Sequence, residues 1–271
     1  WAFTSRNASL DLRAATTFAA ASRALKGYND DLSARALTQS KRLLKEATEI
    51  LAKQPQDRPG RGGGGDMATN LQLYISTGEQ QYIDKFQQML WPALDRNVSF
   101  TLSTALDAIP YMDAAYKEKL RPYVVKYKEY IEELEKNNPY GVPIGLGNWA
   151  GGGAVVNFGN TLCFANQHFP EIIEASHAFK VTNWLFGCHP YHYYSLVAAV
   201  GAARPKAVFY GNNRADFSFI PGNVAPGLLF RKPDHFENYD DWPFLWGQNE
   251  GTIAGNTGYL IFGSAFKNMV K

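Results

Sequence analysis

The chain has 271 residues, with 27 basic and 25 acidic side chains and a formal net charge of +2. That balance leaves no electrostatic footprint for nucleic acid or an anionic membrane surface, and neither is expected as a partner. With 45% hydrophobic and 14% aromatic residues the chain can bury a sizeable core, and no apolar run reaches the roughly 18 residues of a membrane span.

Apolar positions recur at three- to four-residue spacing from Ala8 to Tyr28, through Leu10, Ala14, Phe18, Ala21 and Leu25, which predicts a buried helix in which alanines permit close approach. A second helix is predicted from Asp31 to about Lys53, with Ala34, Leu37, Leu44 and Ile50 apolar, so the two form a hairpin. From Gln54 to Gly65 two prolines and a run of glycines break the pattern. This is no phosphate loop, because Asp66-Met67 follows the glycines in place of Gly-Lys-Ser/Thr. Helices are then expected over Asp66–Ser76, Gln80–Leu94, Ser99–Ile109, Asp113–Glu135, Ala154–Asn166, Pro170–Phe186 and Gly251–Val270. In the fourth of these a stripe of Tyr116, Leu120, Tyr123, Tyr127, Tyr130 and Leu134 is expected to be core packing, not a sugar platform. No strand alternation of any length interrupts the series, so the expected class is all-α, a helical toroid built from hairpins.

The longest loops, near Asn137–Gly153 and Cys188–Gln248, are aromatic and polar, as expected where inter-helix loops of a toroid converge on a ligand. The run from Phe209 to Glu250 concentrates Asn, Arg, Asp and aromatics with one Glu ahead of an apolar helix, the vocabulary of a carbohydrate site. Glu250 stands among Trp242, Phe244, Trp246 and Tyr259, surroundings that can raise a carboxyl pKa and keep a proton available for a leaving oxygen; a plain helix-start Glu is the alternative. Arg214, Asn212 and Asn213 are candidates for binding sugar hydroxyls, against a loop staple from Arg214 to Asp216. Trp149, Tyr194 and Trp246 are candidates for stacking on a pyranose face. Ser195 lacks a Gly-x-Ser-x-Gly elbow, and the five histidines show no zinc spacing. No cofactor is expected, with calcium left open. Cys163 and Cys188 are expected to be free thiols. The sequons at Asn7 and Asn97 are compatible with a secreted protein, and the start at Trp1 reads as a processed chain or a piece of a longer one.

Several of these segments together resemble the catalytic domain of glycoside hydrolase family 9. They are Asp66-Met67-Ala68 with Leu73 to Gly78, His189-Pro190 through Ser195-Leu196-Val197 and Gly201, Tyr210 to Asp216, Ile220-Pro221-Gly222, and Asn249-Glu250. The resemblance implies a six-hairpin (α/α)6 barrel, of which residues 1–271, with about eight helices against twelve, are expected to be the C-terminal portion. It also implies an inverting β-glycoside hydrolase acting on a glucan or related oligosaccharide outside the cytoplasm. It implies that Glu250 is the proton donor and Arg214 the sugar-binding arginine, while Asn212 and Asn213 stand where the family has paired histidines. The family's general base lies in an Asp-Ala-Gly-Asp segment that this sequence does not contain, so the base is expected in a missing N-terminal segment of the same domain. Two other readings remain: a carbohydrate-binding or scaffold toroid that has lost hydrolysis, and a polysaccharide lyase using a base among Tyr191, His192, Tyr193 and Tyr194.

Overall fold

The structure, a computed structural model, describes residues 6–53, 65–144, 151–189, 195–200, 221–225 and 252–271. The chain divides into two compact units, Trp1–Asp113 and Ala114–Lys271. In the first, α1 (Ala8–Leu25) and α2 (Asp30–Ala52) pair closely, α3 (Gly65–Thr77) packs on α1, and α4 (Gln80–Arg96) and α5 (Val98–Ala108) follow. A single 3-10 turn, Ile109–Tyr111, ends this unit's helices. In the second, α7 (Gly151–His168) packs against both α8 (Ala175–Leu185) and α9 (Ile253–Met269), and α6 (Ala114–Lys136) precedes them. Among the described residues the secondary structure is helical, apart from one isolated bridge between Val197 and Val224.

Local chemistry sets the helix ends. The Asn7, Asn29 and Asn97 side chains accept amide hydrogens in the first turns of α1, α2 and α5. Between α1 and α2 the chain turns at Gly27, whose φ of +83° lies in the left-handed region that glycine enters without steric cost. Helix α1 ends at Leu25, three residues before the expected end at Tyr28. Helix α8 begins five residues later than its proline suggested, after Glu174.

The expected hairpin of α1 and α2 is present, but a different face of α1 carries it. Ala8, Leu12, Ala15, Ala19 and Ser22 are buried, whereas Leu10 and Phe18 are exposed. Small side chains win the interface because they let the two backbones approach: the Ser40 hydroxyl donates to the Ala15 carbonyl across the hairpin at 2.7 Å. Between α1 and α3 the hydroxyls of Thr16 and Thr69 meet at 2.8 Å, and Arg23 donates to the Gln72 carbonyl at 3.0 Å. In α6 the buried stripe is Tyr116, Leu120, Val124, Tyr127, Ile131 and Glu135. Tyr123, Tyr130 and Leu134 flank it instead of filling it, since the helical period places Val124 and Ile131 between the tyrosines.

Candidate functional site

Glu250, Arg214, Asn212, Asn213, Trp149, Tyr194 and Trp246 all lie outside the described residues. What is described is the framework to which their segments are joined. Residues 195–198 and 222–225 form a short antiparallel pair. The Ala198 amide donates to Asn223 O and the Gly222 amide to Ala198 O, both at 2.8 Å, and the Ala225 amide donates to Leu196 O at 2.8 Å. This pair joins Tyr194 on one side, closes the ends of residues 201–220 with Arg214 and the two asparagines, and starts residues 226–251. Two positive-φ residues shape it, Ala199 at 65° and Gly222 at 82°. An alanine held there is strained, and such strain collects at functional sites.

Two further attachments fix the pair in the second unit. The Leu196 amide donates to Leu185 O at the last turn of α8, at 2.8 Å. From the first turn of α9, Asn256 Oδ1 accepts the Val224 amide at 2.8 Å and Asn256 Nδ2 donates to Asn223 Oδ1 at 2.7 Å. Thr252, two residues after Glu250, caps α9 by accepting the Gly255 amide at 3.0 Å. Asn223 is buried, and a buried amide nitrogen requires an acceptor; none of the described residues supplies one to its Nδ2.

The segment that leads to residues 145–150, which contain Trp149, touches α8 through the ring of Tyr140. Asn138 organises it: Nδ2 donates to Leu134 O and Val142 O at 3.0 and 2.7 Å, while Oδ1 accepts the Tyr140 amide at 3.1 Å. The Tyr140 ring meets the fully buried Trp184 edge-on at 5.7 Å, and Trp184 meets the buried His189 at 5.4 Å. Residues 189, 195–198 and 222–225, which adjoin three segments holding candidate site residues, are thus gathered around the C-terminal end of α8.

The remaining chemistry-bearing groups act structurally. Ser195 is fully buried, with Oγ donating to Val197 O at 3.0 Å and accepting the Val197 amide at 3.1 Å. Cys163 and Cys188 are free thiols, as expected, and burial pushes the Cys163 thiol up to about 12. Among the described residues no group of His, Cys, Asp and Glu could hold a metal ion. The sequence missed a triad centred on a buried carboxyl: Glu135 on α6 lies 2.9 Å from the buried His177 Nδ1 and 2.5 Å from Nζ of the partly exposed Lys180, both on α8. Burial pushes the Glu135 carboxyl up, but hydrogen bonds from His177 and Lys180 outweigh it and hold the carboxyl below its ordinary value. Of the missed groups only Asn138 had a local signal, the Asn-Pro-Tyr-Gly turn.

Residues 2–262 match the family model for Glycosyl hydrolase family 9. The chain belongs to this family, and its described helices match part of the family's (α/α)6-barrel fold. Similar solved structures include a metagenome-derived family 9 endoglucanase (18% identity, TM-score 0.71, covering 94% of this chain and 51% of that one). A family 9 protein of Bacteroides ovatus is also 18% identical, with a TM-score of 0.75 over 98% of this chain and 54% of that one. The cellulase Cel9M of C. cellulolyticum, solved with cellobiose, is 15% identical, with a TM-score of 0.67 over 98% and 66%. This chain therefore spans about half to two thirds of the length of these structures. No curated protein gives a significant match.

Proposed function

We propose that the chain is the C-terminal part of an inverting β-glycoside hydrolase that cleaves a β-glucan or related oligosaccharide outside the cytoplasm. Glu250 gives its proton to the glycosidic oxygen as the bond to the leaving sugar breaks. Arg214, Asn212 and Asn213 hold hydroxyls through fixed donors, and Trp149, Tyr194 and Trp246 offer apolar faces to the pyranose rings. Inversion requires a second carboxylate roughly 6.5 to 9.5 Å from the first, to deprotonate a water on the opposite face of the sugar. In this reading that carboxylate comes from polypeptide outside this sequence, which contains no Asp-Ala-Gly-Asp segment.

Family membership over residues 2–262 supports the reaction class, and the endoglucanase and cellobiose-bound neighbours support the substrate class. The observation that carries the assignment of residues is the Asn256 clamp. It ties the first turn of α9, which directly follows Glu250 in the chain, to the strand pair that closes the Arg214 segment. The test is Glu250→Gln in the full-length protein, assayed on a β-1,4-glucan and on an aryl glycoside with a good leaving group. Loss of a general acid is expected to lower kcat on the glucan by about 10²- to 10⁴-fold and to spare the aryl glycoside, whose leaving group needs little protonation. Equal turnover by both forms on the glucan rejects the assignment. A second reading is a family member that binds glucan without cleaving it. That reading calls for saturable cello-oligosaccharide binding with no release of reducing ends.

A further inference from the structure

Helix α9 and the strand pair are each anchored without help from the other. The pair is held to α8 by the Leu196 amide, which donates to Leu185 O at 2.8 Å. Helix α9 is seated on α7, where Phe262 fills the notch at Gly159 and Asn160 Nδ2 donates to Gly258 O at 3.1 Å. Among the described residues, one side chain makes both hydrogen bonds that join these two parts: Asn256, which accepts the Val224 amide and donates to Asn223 Oδ1. The helix does not need this side chain to form. Thr252 already caps its first turn, and the Asn256 amide donates to Thr252 O at 3.0 Å as a regular helical bond. Asparagine is a poorer helix former than alanine, so the cross-tie is what accounts for it here. Both partners are on buried residues, Asn223 and Val224, where water is a poor substitute for a lost hydrogen bond.

We infer that Asn256 is a positioning residue for hydrolysis, which fixes the start of α9 against the strand pair and so holds Glu250 in register with the sugar bound by Arg214. The inference rests on the functional reading above. Thr252, at the tied turn, follows Glu250 by two residues, and the tied strand closes the segment that contains Arg214. Asn256 acts through Glu250 and has no contact with proton or sugar in this role. What it secures is distance, and a misplacement of about 1 Å costs on the order of 10²-fold in rate. The step it serves is protonation of the leaving oxygen. Its loss therefore falls hardest on substrates whose leaving group needs a proton. Sugar binding is largely retained, because the strand pair stays on α8 through Leu196.

The test compares Asn256→Ala with Glu250→Gln in the full-length protein, each on a β-1,4-glucan and on an aryl glycoside with a good leaving group. Asn256→Ala is expected to lower kcat on the glucan by about 10- to 100-fold, to leave KM near its parent value and nearly to spare the aryl glycoside. The ratio of the two rates does not depend on how much of the protein is folded. A variant that is merely destabilised lowers both rates alike. Asn223→Ala removes the side-chain half of the tie and keeps the bond from Val224 to Asn256. It is the second variant should Asn256→Ala fail to fold, and it is expected to shift the ratio in the same direction by a smaller factor. A parallel fall on both substrates, or a rise in KM alone, overturns the proposal. The Glu250→Gln protein separates the two failures. A selective loss on the glucan there, with none in Asn256→Ala, rejects the positioning role and leaves Glu250 as the acid; no selective loss in Glu250→Gln rejects the acid and the positioning role with it.

Discussion

At the scale of single residues, the side chain with the widest reach is Asn256, which satisfies one backbone amide and one side-chain oxygen on a different segment. Asn256→Ala leaves the Val224 amide without its acceptor, and an unsatisfied buried donor costs roughly 1–3 kcal/mol. Urea unfolding is expected to show a loss of that size, and an unchanged midpoint would mean that the clamp contributes nothing. The Glu135 triad makes a pH-dependent contribution with a definite sign. Its carboxyl is held below the ordinary value in the folded state, so its stabilisation is complete above the unfolded carboxyl pKa and fades as pH falls through the lower folded value. Glu135→Gln is expected to lower stability at pH 7 by roughly 1–2 kcal/mol, with the gap to the parent protein closing below about pH 4. A gap independent of pH would contradict an ionised Glu135. Neither group stood out in the sequence. The partners of Asn256 are 32 and 33 residues away and those of Glu135 are 42 and 45, distances at which spacing along a chain carries no information about contact.

At the scale of elements, helical periodicity located the helices well and their buried faces less well. Where large apolar residues and the packing face coincide, as for Leu120 and Tyr127 in α6, the expected face is the one buried. In α1 they do not coincide. Periodicity weights Leu10 and Phe18 by size, whereas the interface selects alanine because close approach to α2 and α3 buries more of both helices. The same logic governs α7 and α9. Gly159 is tightly enclosed, with an added Cβ 2.7 Å from Phe262 and 2.8 Å from Val181. Gly159→Ala should therefore destabilise by about 1–3 kcal/mol through overpacking, even though alanine is the better helix former by roughly 1 kcal/mol. Thermal unfolding decides the matter, and a raised Tm would show that the notch is loose. The late start of α8 was not legible, because a proline marks a permitted first turn without requiring one.

For the molecule as a whole, the class and the family were legible because both are written in features that survive divergence. A series of helices without strand alternation defines the class, and short motifs spread from Asp66 to Glu250 define the family, although similar structures share only 15–18% of their residues with this chain. The candidate site was read as a set of residue types, all of which lie outside the described residues. What the structure adds is that residues flanking three of the segments that hold them, 195–198, 222–225 and the first turn of α9, are bonded to one another and, through Leu196, to the end of α8. The most direct test of the account is proton NMR of cello-oligosaccharide hydrolysis by the full-length protein, following the anomer first released. The account expects the α-anomer to appear first and then mutarotate, as inversion at a β-linkage demands, with the signal all but abolished by Glu250→Gln. Initial release of the β-anomer, or undiminished release by the Glu250→Gln protein, would contradict it.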